Sequence, residues 1–266
     1  MKNKISKYNI FILITLMLSL GGVLIRSILL TRYYDSAIGY YAVGTSLPAV
    51  FTVLAIVAVI LFALFVLTTR KDGLEEKKFH DSSIFIFSCF LCGFVLVAMI
   101  VMSALEKNLT VLEKVAMLFS VPSALFFFTA ALRGEKPQKM KTLFSLFVPL
   151  WATMKLAAIY FDSYIAVNEP NKVMQQTALI SIMLFFLCEC RVLIGKEKNS
   201  LHNFSGAAAI FFTSTTAIPQ IFAYTAKKIS GAYIACDLVL AAILIYIIVR
   251  MTASNKKEEE RENVCI

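Results

Sequence analysis

The chain has 266 residues, of which 59% are hydrophobic and 16% charged, with a mean hydropathy of +0.77. A soluble domain carries roughly 45–50% apolar and about 25% charged residues, so this composition excludes an ordinary soluble protein and points to the bilayer. The net charge is +9, but the basic residues sit in short clusters between apolar runs, a pattern that fits membrane topology and not a nucleic-acid surface.

Eight apolar runs are long enough to cross the ~30 Å hydrocarbon core as helices, which satisfy their own backbone hydrogen bonds. They fall near 8–30, 46–69, 83–105, 110–132, 142–162, 172–194, 204–226 and 230–250. The expectation is one all-α domain over 1–250, a polytopic transmembrane helix bundle, followed by a charged cytoplasmic tail over 251–266. The first run follows a basic start, as a signal peptide would. It continues for over 20 residues with no small-residue cleavage site after it, so it reads as an uncleaved helix.

That first run ends in "LIRSILLTRYYDSAIGYY". Arg26 enters before the apolar run is over. It either snorkels to the headgroups or belongs to a polar site. Tyr33, Tyr34, Tyr40 and Tyr41 follow, and Tyr160, Tyr164, Tyr224 and Tyr233 fall at the same boundary of later spans. They read most simply as an aromatic belt; the alternative is that some line a ligand site, since aromatic faces attract cations. The connection "DGLEEKKFH" alternates acids and lysines and reads as a solvated face. In the third span Cys89 and Cys92 have redox spacing but no soluble βαβ surroundings, so they read as small packing residues.

The fifth span carries Lys155 and ends in "YFDS", which aligns with "YYDS" after the first span. The match pairs Asp35 with Asp162 and, if it marks a repeat, divides the bundle into two four-helix halves. The sixth span ends in "CECRVLIGKEK", where a local charge pair or snorkelling near the interface accounts for Glu189 and Arg191, the alternative being a proton relay at Glu189. In the seventh, "FFTSTTAIPQ" places Thr215 and Thr216 before a helix-kinking Pro219 and Gln220. Such a segment is a packing seam or a pathway lining. The eighth span carries Asp237 near its start.

Counting from the helix ends at 1.5 Å per residue, Arg26, Lys155, Gln220 and Asp237 all lie roughly 6–11 Å below one boundary. Aspartate is too short to snorkel, so Asp237 is expected to face the bundle interior, opposite Lys155 with Arg26 nearby. Of the 26 Lys and Arg residues, eighteen fall in segments on the side of the termini and six on the other side. This predicts both termini in the cytoplasm.

The only histidines, His80 and His202, lie in or beside the connections on the terminal side. No haem-clamping pair, zinc spacing, nucleophile elbow or phosphate loop is present. The expectation is a protein with no catalytic centre, metal or cofactor. The segments "RYYDSAIGYY", "WATMKLAAIYFD" and "LFFLCECRVLIGKEK" resemble a group of uncharacterised multi-span membrane proteins of low-GC Gram-positive bacteria. The resemblance implies a bacterial plasma membrane and no particular activity. The reading from the residues is binding or transport of a small anionic or zwitterionic solute, or a lipid headgroup, in a polar pocket. The alternative is a non-transporting membrane subunit, scaffold or sensor with structural polar residues. The bilayer, and a solute or headgroup, are the expected partners.

Overall fold

The computed structural model describes residues 7–42, 44–69, 82–105, 109–133, 139–196, 199–229 and 234–253. His80, Tyr233, Cys265 and all of the expected tail beyond 253 lie outside the described residues. The chain forms α1 (Lys7–Ile28), which continues as a π turn (Leu29–Tyr33), then a hairpin of β1 (Tyr34–Asp35) and β2 (Tyr40–Tyr41). Seven spans follow: α2 (Leu47–Thr69), α3 (Ser83–Leu105), α4 (Val111–Arg133), the pair α5 (Lys139–Ser145) and α6 (Phe147–Tyr160), α7 (Pro170–Leu193), α8 (Asn199–Thr225) and α9 (Ile234–Ala253). Eight of these stretches are long and apolar enough to cross a membrane, at the positions that the sequence predicts.

Local chemistry sets the helix ends. Glu169 caps α7, its carboxylate accepting from the Lys172 backbone N–H, and Pro170 takes the first helical position, where a missing N–H costs nothing. Thr110 and Glu113 cap each other at the start of α4. Gly195, at φ +72°, closes α7 in the left-handed conformation that glycine adopts without strain. The fifth span is not continuous. Pro149 has no N–H to offer the Ser145 carbonyl, and the helix resets at Leu146. Pro219, by contrast, sits inside an unbroken α8.

Packing runs inside out relative to a soluble protein. The most apolar span, α2, is the least buried, and the least apolar, α8, is the most buried. Lipid accepts only apolar side chains, whereas hydroxyls, amides and small residues can be satisfied only against other helices. Helices α7, α8, α9, α3, α4 and α6 close a ring in that order, each packing on the next and α6 returning to α7; α1 packs outside the ring on α8, and α2 on both α1 and α8. Phe127, Phe186 and Tyr246 fill the ring with edge-on and stacked contacts, with Phe85 and Phe126 beside them.

The two halves do not pack alike. Consecutive helices of the second half all pack on one another, whereas α2 makes no substantial contact with α3. The "YYDS" and "YFDS" segments share something smaller. Asp35 accepts from the Ala37 N–H and Asp162 from the Tyr164 N–H, so each closes the same two-residue turn. The likeness that the structure shows is a shared turn, in which both aspartates act as turn residues.

Candidate functional site

Tyr8 at the start of α1 donates to the Met251 carbonyl near the end of α9, so the start of the first helix and the end of the last sit at one face of the bundle. The candidate site lies at the opposite face, here called the loop end. The hairpin folds over it in the register Tyr34 to Tyr41 and Asp35 to Tyr40, turning at Gly39 with φ +73°. Tyr34 donates to Glu169 at 2.7 Å, and Tyr40 donates to Asn168 at 2.5 Å. These two bonds tie the hairpin to the start of α7. The Tyr34 phenol is held above its ordinary pKa, first by partial burial and then by its hydrogen bond to Glu169.

Beneath the hairpin is a cavity of about 280 Å³. Its rim includes the exposed Ser36, Ile38 and Tyr164; its inner wall includes Glu169, Asn171, Gln220 and Asp237, all buried. Tyr34, Tyr40, Tyr164 and Tyr224 supply the aromatic surface, and no Lys or Arg lines it among the described residues.

Behind that wall is a network of five side chains from four helices. Asp237 on α9 accepts from Gln175 Nε2 on α7 at 2.9 Å. Gln220 on α8 meets the same carboxylate. Its amide nitrogen belongs toward Asp237, at 2.7 and 2.8 Å, because the opposite orientation would press an amide oxygen against two carboxylate oxygens. Its oxygen then accepts from Arg26 at 3.3 Å. Arg26 also donates to Asn171 Oδ1 at 2.9 Å. The guanidinium is thus linked to the carboxylate through Gln220, without direct contact.

Three of the four residues predicted at one depth are therefore brought together: Arg26, Gln220 and Asp237. Arg26 is 1% exposed and does not snorkel. Lys155 is elsewhere. It makes no ion pair with Asp237; ion pairing is seen instead at Glu189, with His202 and Arg250. The reason is angular: α6 packs against α4 and α7, not α9, so a shared depth does not give a shared site. Asn171, Gln175 and Glu169 escape the sequence reading because amides and a capping acid near a helix start carry no signal of burial.

Thr215 and Thr216 bond back to the helix, to Phe211 and Phe212 carbonyls, and Thr216 also donates to Met174 on α7. They serve the packing seam; neither lines the cavity. Glu189 anchors a second buried cluster at the terminal end. It accepts from Arg250 Nε at 3.0 Å and pairs with His202 Nε2 at 2.6 Å. An ionised Glu189 can only accept, which assigns a proton to His202 Nε2. Arg191, the expected local partner, is exposed, and His202 lies beside the connection, in the first turn of α8, with its side chain buried. Among the described residues no three His, Cys, Asp or Glu side chains gather as metal ligands. No family model, curated protein or solved structure matches the chain.

Proposed function

We propose that the protein binds a small solute or headgroup whose positively charged group enters the loop-end cavity, and that movement of the bundle can pass this ligand across the membrane. The observation that carries the reading is the lining: two buried carboxylates, Glu169 and Asp237, with four tyrosines and, among the described residues, no basic side chain. Carboxylates and aromatic faces both attract an ammonium group. Zwitterions carrying such a group fit the reading, whereas a purely anionic ligand does not. The anionic preference rests on Lys155 facing the pocket and on Arg26 lining it, and neither does so.

The role is non-enzymatic in this reading. The setting is the bilayer of a bacterial plasma membrane, with both termini in the cytoplasm and the loop end outside; the eighteen-to-six distribution of basic residues supports that orientation. The rival, a purely structural membrane subunit, draws on the mutual pairing of Arg26, Gln220 and Asp237.

Thermal unfolding of the detergent-solubilised protein separates the two. Choline and glycine betaine should raise the midpoint in a concentration-dependent way, and glycerol phosphate should not. Asp237→Asn, which retains the shape of the carboxylate, should abolish the shift. A stabilisation by glycerol phosphate alone, or none by any of the three, would overturn the proposal.

A further inference from the structure

Lys155 has a site of its own. It lines a second cavity, of about 490 Å³, where the C-terminal end of α6 meets the N-terminal end of α4. The side chain is half-buried and makes no hydrogen bond or ion pair with any described residue. A lysine below the membrane boundary without a partner is costly, and this one is held facing a cavity and not a counter-charge. The same cavity is lined by two acids, Glu113 and Asp162. Both acids keep one oxygen engaged in local caps, Glu113 with Thr110 and Asp162 with the Tyr164 N–H.

The three charges are ordered by depth. Lys155 lies five residues before Tyr160, the last residue of α6, which is about 7.5 Å of helix rise. Glu113 lies in the first turn of α4, and Asp162 lies just past the end of α6. Both acids are thus nearer the boundary than the lysine. Val111 and Phe161, 76% and 70% exposed, stand at the cavity's edge and supply apolar surface toward the bilayer.

We infer that this cavity holds the headgroup of a phosphoethanolamine-type phospholipid. In such a lipid the phosphate is joined to the glycerol and lies deeper, and the primary ammonium lies further out. Phosphate at Lys155 and ammonium at Glu113 and Asp162 reproduces that order. Lysine binds phosphate as a point charge, and a primary ammonium offers three N–H donors to the free carboxylate oxygens. A trimethylated choline offers none, and a glycerol headgroup carries no positive charge. The charged groups are separate from those of the loop-end cavity, whose wall contains none of Lys155, Glu113 and Asp162; Tyr164 is the residue that lines both.

The test is native mass spectrometry of the full chain released from nanodiscs of equimolar phosphatidylethanolamine, phosphatidylglycerol and phosphatidylcholine. Phosphatidylethanolamine should be retained in preference to both others. Lys155→Gln should lower retention of phosphatidylethanolamine and phosphatidylglycerol about tenfold, the loss of one charge-assisted contact. The pair Glu113→Gln and Asp162→Asn keeps both local caps but removes both charges. It should erase the preference for ethanolamine over glycerol while phosphate-dependent retention persists. Unchanged thermal midpoints in these variants separate lost binding from lost folding. Equal retention of the three lipids, a preference for phosphatidylglycerol, or indifference to Lys155→Gln would overturn the assignment. Displacement of the lipid by free phosphoethanolamine at equal concentration would overturn its lipid source.

Discussion

Arg26 would reach the headgroups if lipid surrounded it, yet it is fully enclosed, with Asn171 and Gln220 as its acceptors. The energetic logic is that of a buried ion pair spread over an intervening amide. Removing one partner leaves the other charge uncompensated, which typically costs about 3–5 kcal/mol. Arg26→Met should therefore lower stability in detergent by about 3 kcal/mol, while Arg26→Gln combined with Asp237→Asn should cost much less than the two single changes added together. Additive losses in a denaturation series would show that the two charges do not interact. Glu189 follows the same rule at the terminal end. Glu189→Gln strips the anion from Arg250 and His202 and should cost about 3–5 kcal/mol. Arg191→Ala, at an exposed position, should fall within about 0.5 kcal/mol of the parent. Reversal of that ranking in thermal midpoints would refute the assignment of partners.

The seam between α1 and α8 is closed by glycine. A Cβ on Gly22 would sit 2.6 Å from the Thr215 methyl, closer than real Cβ contacts come. Gly22→Ala should therefore push the helices apart and cost about 1–3 kcal/mol, as overpacking does. Thr215→Ser removes that methyl and keeps the hydroxyl that bonds to the Phe211 carbonyl. The double variant should regain most of the loss, measured by unfolding in detergent; no recovery would mean that the contact is not the cause. Proline shows how an element's neighbours decide its fate. Pro149 breaks the fifth span, while Pro219 lies in an unbroken helix surrounded by α1, α2, α7 and α9. At the start of that same buried helix stands His202, and near its end Gln220, so α8 belongs to both polar clusters.

Across the described residues, an even number of spans puts the start of α1 and the end of α9 at one face, where Tyr8 bonds to Met251. Reporter fusions at residues 76, 137 and 266 should read cytoplasmic, and fusions at 38 and 168 external. An internal signal at 168 would sink the orientation. The cavity opens at the loop end, and Phe127, Phe186 and Tyr246 fill the ring interior. On the proposed reading, ligand enters this cavity from the loop end. A cysteine placed at Ile38, an exposed rim residue, should react with a membrane-impermeant maleimide from outside, and ligand should slow it. The described native cysteines are buried and should stay silent.

The sequence alone determined the class of molecule, the eight spans and the depth of the charged residues. Each of these depends on position along a helix, and helix rise converts position directly into depth. Arg26, Gln220 and Asp237 could be grouped on that basis. What the sequence could not supply was the angle about each helix axis and the identity of each helix's neighbours. Those follow from side-chain packing between segments far apart in the chain. Lys155 shares the depth of Asp237 but faces another cavity, because α6 packs on α4 and α7. Glu189 finds His202 and Arg250, thirteen and sixty-one residues away, and not Arg191 two residues on. The aspartates of the paired "DS" segments turned out to close local turns, a role decided by the backbone path after each helix. Only the tertiary structure could place two acids and four tyrosines around one cavity, because they come from four separate stretches of chain that a helix bundle brings together at one end.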